Sequence, residues 1–294
     1  MTMAVQIKGV DLSKWQEAGR VNFAELKELG YEFAILRAGY GKIESQKDIA
    51  FESHYAAAKA AGLHIGAYHY TYAVSVAEAK QEAACFLKWI EGKQLDYPVA
   101  FDIEDASLKK LTTAERTDVA LAWMETVEAA GYYTMLYCSA SWAKSYLDMD
   151  RLKHFDVWLA CYTTEERRNE LYTRDILGIW QHTSSLELPG VYGGKIDADI
   201  AYKDYAAIIK KAELNNLAAT PAPVPEYAGK YTVTGNTVNL REGAGTSTKV
   251  AAVLTKSTEV ICKGNAVDLD GTIWLEIDSG EQHGWMSAKY LERA

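Results

Sequence analysis

Between Ile7 and Ser141, short apolar runs alternate with segments of helical period, and each helix is punctuated at both ends. IKGVDLS, EFAILRAGYG, HIGAYHYTY, the run around FDIED and YTMLYCSAS read as strands. The intervening helices open on cap pairs three residues apart, namely Asn22 with Glu25, Ser75 with Glu78 and Thr112 with Glu115. Gly30, Gly62 and Gly131 stand where helices should stop. FDVWLACYT, ILGIWQHTS and KIDADIAY then read as three further strands, separated by loops or short helices. Eight strands, mostly apolar on both faces and alternating with helices, predict an α/β fold built on a parallel closed barrel. A doubly wound open sheet fits less well, because no glycine-rich phosphate loop follows the first strand.

In such a barrel, reactive groups gather at the carboxyl ends of the strands. The stretch YPVAFDIED, Tyr97 to Asp105, stands out there. Read as a strand, it puts Val99, Phe101 and Ile103 on one face, and Ala100, Asp102 and Glu104 on the other. Carboxylates at i and i+2 have Cα atoms roughly 6.6–7 Å apart, so both can reach one substrate. The other strand ends carry Asp11, Arg37 and Tyr40, Tyr68 to Tyr70, Ser139, Tyr162, Gln181 and His182, and Asp197 and Asp199. A ring of acids and aromatics on one rim predicts an active site.

Composition narrows the function. At 49 % apolar and 24 % charged residues the chain can bury a sizeable core. A net charge of −9 argues against a nucleic-acid or anionic-membrane partner, either of which favours a basic face. Eight Trp and nineteen Tyr supply flat rings of the kind that stack on sugars. Cys85, Cys138, Cys161 and Cys262 lack any paired ligand spacing and read as reduced thilos of a protein made in a reducing compartment. MTMAVQIKGVDLSKWQ has no apolar signal core, and no run of about 18 apolar residues exists to span a membrane. The expectation is a soluble protein made in the cytoplasm without an obvious export signal.

Taken in order, GVDLSKWQ, ILRAGYG, GAYHY, FDIED, WQHTS and IDADIAYKDY closely resemble the glycoside hydrolase family 25 lysozymes, the Chalaropsis type. The resemblance runs from about residue 5 to 210. It implies a flattened TIM-like barrel of five β/α units plus three strands. It also implies cleavage of the β-1,4 bond between N-acetylmuramic acid and N-acetylglucosamine in bacterial peptidoglycan, with no cofactor and no metal. By motif match, Asp11, Asp102, Glu104 and Asp197 occupy the family's four acidic positions. Asp199 departs from the pattern, since many relatives carry Asn there, and it reads as a supporting or solvated acid.

Glycosidic cleavage needs a proton donor for the leaving oxygen and an anion beside the oxocarbenium-like centre. Glu104 is the expected acid, because the charges of Asp102 and Asp197 favour its protonated form. Two roles stand open for Asp102: acting on the sugar directly, or orienting the 2-acetamido group so that the substrate supplies the nucleophile. Asp11 and Asp197 should position the substrate and Glu104. Arg37, Tyr40, Tyr68, Tyr137, Tyr162, Trp180 and Gln181 are the expected substrate contacts, with core packing the competing role for each ring. His69 and His182 are equally well read as structural histidines. Two other classes compete, a metal-dependent hydrolase built on the carboxylates and a catalytically inactive glycan-binding barrel.

Past Glu213 the pattern changes. LNNLAATPAPVPEYAG is Ala/Pro-rich and reads as a semi-rigid linker. YTVTGNTVNLREGAGTSTKVAAVL, STEVICKG, TIWLEID and HGWMSAKYL are short alternating strands split by turn residues. The segments VNLREGAGTSTKVAAVL and GWMSAKYL resemble a bacterial SH3 domain. That implies a small all-β barrel that holds the enzyme on the wall, with Trp274, Trp285 and Tyr290 as ligand aromatics or core. The expected organisation is a catalytic domain over 1–212, a linker over 213–228 and a wall-binding domain over 229–294. The resemblance to phage endolysins implies action on the cell wall after release from the cytoplasm.

Overall fold

The computed structural model describes residues 5–172, 175–217, 227, 229–269, 271–280 and 282–294. Two compact units are present, Met1–Ala219 and Thr220–Ala294.

The first unit runs β1 (Ile7–Leu12), α1 (Phe23–Glu28), β2 (Phe33–Tyr40), α2 (Phe51–Ala60), β3 (His64–Tyr70), α3 (Val76–Trp89), β4 (Val99–Asp102) and α4 (Thr113–Ala129). It continues with β5 (Thr134–Ser139), α5 (Ala140–Ser145), β6 (Asp156–Ala160), α6 (Glu165–Leu171), β7 (Leu177–Glu187), β8 (Lys195–Ala201) and α7 (Tyr205–Lys211). The eight strands close a barrel in chain order. The caps act as the sequence requires. Asn22, Ser75 and Thr112 accept the backbone N–H groups of Glu25, Glu78 and Glu115, and Glu115 returns the bond to Thr112. Gly30, Gly62 and Gly131 follow α1, α2 and α4 with φ of 82°, 72° and 89°, a conformation glycine adopts without a Cβ penalty.

One expectation is corrected. β1 to β7 are parallel neighbours, but β8 runs antiparallel to both β7 and β1. A parallel crossover takes a dozen or more residues, and only residues 188–194 separate β7 from β8, enough for a hairpin. The rim formed by the carboxyl ends of β1–β7 is therefore the amino end of β8.

Alternation along the strands sorts the core into two layers. Val10, Leu12, Leu36, Val99, Phe101, Leu136, Val157 and Leu159 face the helices and join their apolar residues. Phe33, Ile35, Ala100, Met135, Trp158 and Ile179 face the barrel interior. Tyr205 of α7 reaches back into this layer, and its hydroxyl donates to Asp156 Oδ2 at 2.9 Å. Space there is tight enough that a Cβ on Gly178 would sit 1.8 Å from that hydroxyl oxygen. Packing thus fills one end of the barrel and leaves the other for polar side chains.

The beginning of the expected linker belongs to the barrel. Asn215 is fully buried, donating to the Tyr97 carbonyl at 2.9 Å and accepting the Tyr133 N–H at 2.6 Å, while Leu214 and Leu217 pack on the inner core. LNNL looks like linker in sequence, but its amide satisfies backbone groups next to β4 and β5. Residues 218–226 and 228 of the linker lie outside the described residues.

The second unit is all β: β9 (Gly229–Val233), β10 (Thr237–Arg241), β11 (Val250–Thr255), β12 (Glu259–Leu269), β13 (Thr272–Ser279), β14 (Gln282–Ser287) and β15 (Leu291–Arg293). Their order is β11-β10-β14-β13-β12-β9-β15. Where the sequence suggested a barrel, the described residues form a seven-stranded sheet with no ladder joining β11 to β15. Val233, Leu240, Val260, Leu275, Ile277 and Met286 make its core. Among the described residues, no helix of the protein is long and apolar enough to cross a membrane.

Candidate active site

A cavity of about 230 Å³ opens among the inward-facing residues at the rim. Asp11, Arg37, Tyr68, Asp102, Tyr137, Gln181 and Asp197 line it, together with Ser13, Trp15, Gln16, Tyr70 and Trp158. Strand register explains much of this convergence. Asp11 on β1 stands directly opposite Asp197 on β8, and Tyr70 on β3 opposite Asp102 on β4, which in turn faces Tyr137 on β5. Asp197 reaches the rim because β8 is inverted. The expectation placed it at a strand's carboxyl end, and it sits toward the amino end.

Gln181 is the hub. It is 2 % exposed, and its Nε2 donates to Asp11 Oδ2 at 2.7 Å. Its Oε1 accepts the hydroxyls of Tyr137 at 2.9 Å and Tyr162 at 2.8 Å. Both lone pairs of the amide oxygen are thereby used, which fixes Asp11 and two tyrosines relative to one another. Arg37 is held from the opposite side. Its Nε donates to Asp48 Oδ2 at 2.7 Å, while its Nη2 is buried without a partner. A buried guanidinium N–H left unpaired is costly, which favours a ligand oxygen at that point.

The cluster is short of positive charge. Burial pushes the carboxyls of Asp11, Asp102, Asp197 and Asp199 above the ordinary carboxylate range. The charges of Asp199 and Asp197 add to the effect on Asp11, and that of Glu104 adds to the effect on Asp102. Asp199 is 1 % exposed, so it is not the solvated acid that the sequence allowed. Its Oδ1 accepts the Trp158 indole N–H at 2.7 Å and its Oδ2 has no hydrogen-bond donor. Burial and neighbouring like charges thus both favour the protonated forms of these carboxyls.

Glu104 lies beyond β4, which ends at Asp102 rather than continuing to Asp105. Asp102 Oδ1 accepts the Glu104 N–H at 3.3 Å, an Asx-type turn that bends the chain out of the strand. Glu104 is half-buried, and its Oε1 accepts the N–H of Ser139, the residue that caps α5, at 2.8 Å. It does not line the deep cavity. Tyr162 stays half-exposed, joined to the site through Gln181. Tyr40 stands outside the cavity lining too, with its ring edge-on to Tyr72 and the Lys14 ammonium 5.7 Å from it.

Trp180 is not brought to the cavity. Its neighbour Gln181 faces inward, so alternation turns the indole outward, where its N–H donates to the Cys161 carbonyl at 2.8 Å and Arg168 lies over the ring. His69 faces outward as well, fully buried among Trp89, Phe101 and Trp123, with Nε2 3.0 Å from Glu82. His182 is half-buried beside the Trp180 ring. Among the described residues, no group of three or more His, Cys, Asp or Glu is arranged to hold a metal ion.

Two lining rings were not anticipated, Trp15 and Trp158, whereas Tyr70 was expected at the rim but not named as a contact. Trp158 alternates with apolar residues and is indistinguishable from core in sequence. Trp15 carried a usable signal, a large ring in a polar loop just past an acidic strand end. It is 73 % exposed, beside the cavity.

An acid-lined opening at the rim of a β/α barrel is the arrangement that a glycoside hydrolase requires. Residues 10–191 match the family "Glycosyl hydrolases family 25", and the chain belongs to it. It is similar to YegX of Escherichia coli O157:H7, an uncharacterized protein, at 28 % identity over 200 residues, covering 66 % of this chain and 69 % of YegX. YegX from two other E. coli strains is covered over 66 % of its length, just under two thirds. Among solved structures, the CTP1L endolysin superposes with a TM-score of 0.59 at 29 % identity, covering 70 % of each chain. The modular autolysin LytC of Streptococcus pneumoniae, in complex with a synthetic peptidoglycan ligand, superposes with a TM-score of 0.57 at 25 % identity, covering 67 % of this chain and 47 % of LytC.

An exposed indole beside a sugar site should act as a stacking platform. Trp15→Ala is expected to raise KM for a soluble glycan about two- to tenfold, the worth of one ring contact. Steady-state kinetics measure this, and an unchanged KM would take Trp15 out of the substrate path.

Proposed function

We propose that the chain is a lysozyme of the muramidase type. It cleaves the β-1,4 bond between N-acetylmuramic acid and N-acetylglucosamine in bacterial peptidoglycan. The observation that carries this reading is the buried carboxyl cluster, tied through Gln181 to two tyrosines, at the rim of a family 25 barrel. Glu104 is the general acid. Its loop position leaves the carboxyl half-exposed, able to meet a glycosidic oxygen while Ser139 N–H holds its other side. Asp102 is the carboxylate that answers the positive charge developing at the anomeric carbon, either at the ring or through the 2-acetamido group. Asp11 and Asp197 hold the sugar, and Arg37 Nη2 supplies a hydrogen bond to it.

Residues 229–294 act in this scheme as an SH3-like module that keeps the enzyme on the wall, raising the local substrate concentration. The compact all-β unit with its own core supports a separate role. Cys85, Cys138, Cys161 and Cys262 are free thiols, in keeping with synthesis in a reducing compartment and an endolysin-like release to the wall.

Mass analysis of the reducing ends released from purified peptidoglycan tests the reaction. Reducing N-acetylmuramic acid is the expected product. Reducing N-acetylglucosamine would make the enzyme a glucosaminidase and overturn the bond assignment.

A further inference from the structure

In the C-terminal unit the strands divide their side chains between two faces. Leu275, Ile277 and Met286 enter the core. Trp274 on β13 pairs in register with Ser287 on β14, and both line a cleft of about 530 Å³. Trp274, largely buried, and Tyr290, exposed, wall this cleft, and Arg241 and Lys289 are its charged residues. No acid is present among the described lining residues, in a chain of net charge −9. Arg241 Nη1 donates to the Thr248 carbonyl at 2.6 Å, which fixes the guanidinium and leaves its other N–H groups available. The Lys289 ammonium lies 4.8 Å from the centre of the Tyr290 ring. Ion pairs among the unit's described residues lie elsewhere, at Lys249–Glu242 and around His283.

A second observation points to a ligand. Ser287 is 3 % exposed, and its buried Oγ has no hydrogen-bond partner. It stands at the start of the short 3-10 helix Ala288–Tyr290, where a serine usually caps, yet its hydroxyl caps nothing. Buried hydroxyls are normally paired, so this one is positioned for a group that enters the cleft.

We propose that this cleft binds the free carboxylate end of a peptidoglycan stem peptide, an inference that rests on the wall-binding reading of this unit. Arg241 and Lys289 meet the carboxylate, the planar guanidinium matching its geometry, and the Ser287 hydroxyl donates to it. Trp274 and Tyr290 pack against the small apolar side chains of the peptide. The volume suits a ligand of a few residues. A polyol phosphate would satisfy the two cations but would make little use of the aromatic walls.

The test is calorimetric titration of the full chain with a synthetic stem tetrapeptide ending in a free carboxylate, with its C-terminal amide, and with glycerol phosphate. The acid is expected to bind at least about tenfold more tightly than the amide, the scale of one charge-assisted hydrogen bond. Lys289→Gln, an exposed change that the fold should tolerate, is expected to weaken the acid about tenfold and the amide little. Arg241→Gln should do the same. Equal binding of acid and amide, or no loss in a folded Lys289→Gln chain, overturns the proposal. Binding of glycerol phosphate without the peptide overturns it in favour of a phosphate polymer. Turnover of soluble glycan by the unsubstituted chain is measured in parallel. Its absence would count against the lysozyme reading, whereas normal turnover without peptide binding defeats the cleft proposal alone.

Discussion

Glu104→Gln is expected to lower turnover by at least about 10²-fold while leaving the fold intact, the usual scale for loss of a general acid. Glutamine has the same length and its amide oxygen can still accept the Ser139 N–H, now held at 2.8 Å, so the loop past β4 should keep its course. What is lost is the proton that the leaving oxygen requires. Turnover of a soluble glycan, with circular dichroism to establish folding, makes the measurement. Near-normal turnover by a folded glutamine variant would remove Glu104 from the acid role. The half-exposed position is consistent with that role, since a proton donor must be reached by the substrate and reloaded from water.

Asp102→Asn should be comparably severe, on the order of 10²–10³-fold, because it removes the anion proposed to face the developing positive charge. Asp199→Asn provides the contrast. Asparagine can accept the Trp158 N–H as Asp199 does now and can donate an amide proton toward Asp11, so the expected loss is below about tenfold. Its effect on stability should have the opposite sign. Burial raises the folded-state pKa of Asp199, so the stability this carboxyl contributes is present below the unfolded value of about 3.9 and is lost as pH rises. Asp199→Asn should therefore melt above the wild type at pH 7, with the gain vanishing below about pH 4. A larger activity loss for Asp199→Asn than for Asp102→Asn would overturn this account of the cluster. For the wild type, the same burial should place the acid limb of the activity profile above the ordinary aspartate range.

Strand and helix order, the helix caps, the glycine stops and the candidate acids were legible in the sequence. These are local matters. A cap needs only residues three apart, and a strand's two faces need only alternation. FDIED announced Asp102 because a polar residue on the inner face of an otherwise apolar strand has no packing role, whereas Glu104 stands past the strand's end. Alternation also contained a warning about Trp180 and Gln181, since adjacent residues of one strand cannot both face inward, and the barrel chose the glutamine. The reversal of β8 was not legible, because β7 runs on to Glu187, past the apolar run that marked it in sequence, and so shortens the connection to a hairpin.

How these residues meet was fixed by long-range pairing of the strands. Asp11 and Gln181 are 170 positions apart, and their 2.7 Å hydrogen bond exists because β1 and β7 both flank β8. Asp199 became a buried acid rather than a solvated one because inversion of β8 turned it toward Trp158. The turn at Asp102 that carries Glu104 out of the strand depends on one side-chain acceptor, which strand propensity does not register. In the C-terminal unit, Trp274 read equally well as core or ligand ring. Alternation along β13 puts it on the face opposite Leu275 and Ile277, and the long-range pairing of the strands placed the apolar partners on their side. Long-range register sets such choices, and no window of neighbouring residues carries it.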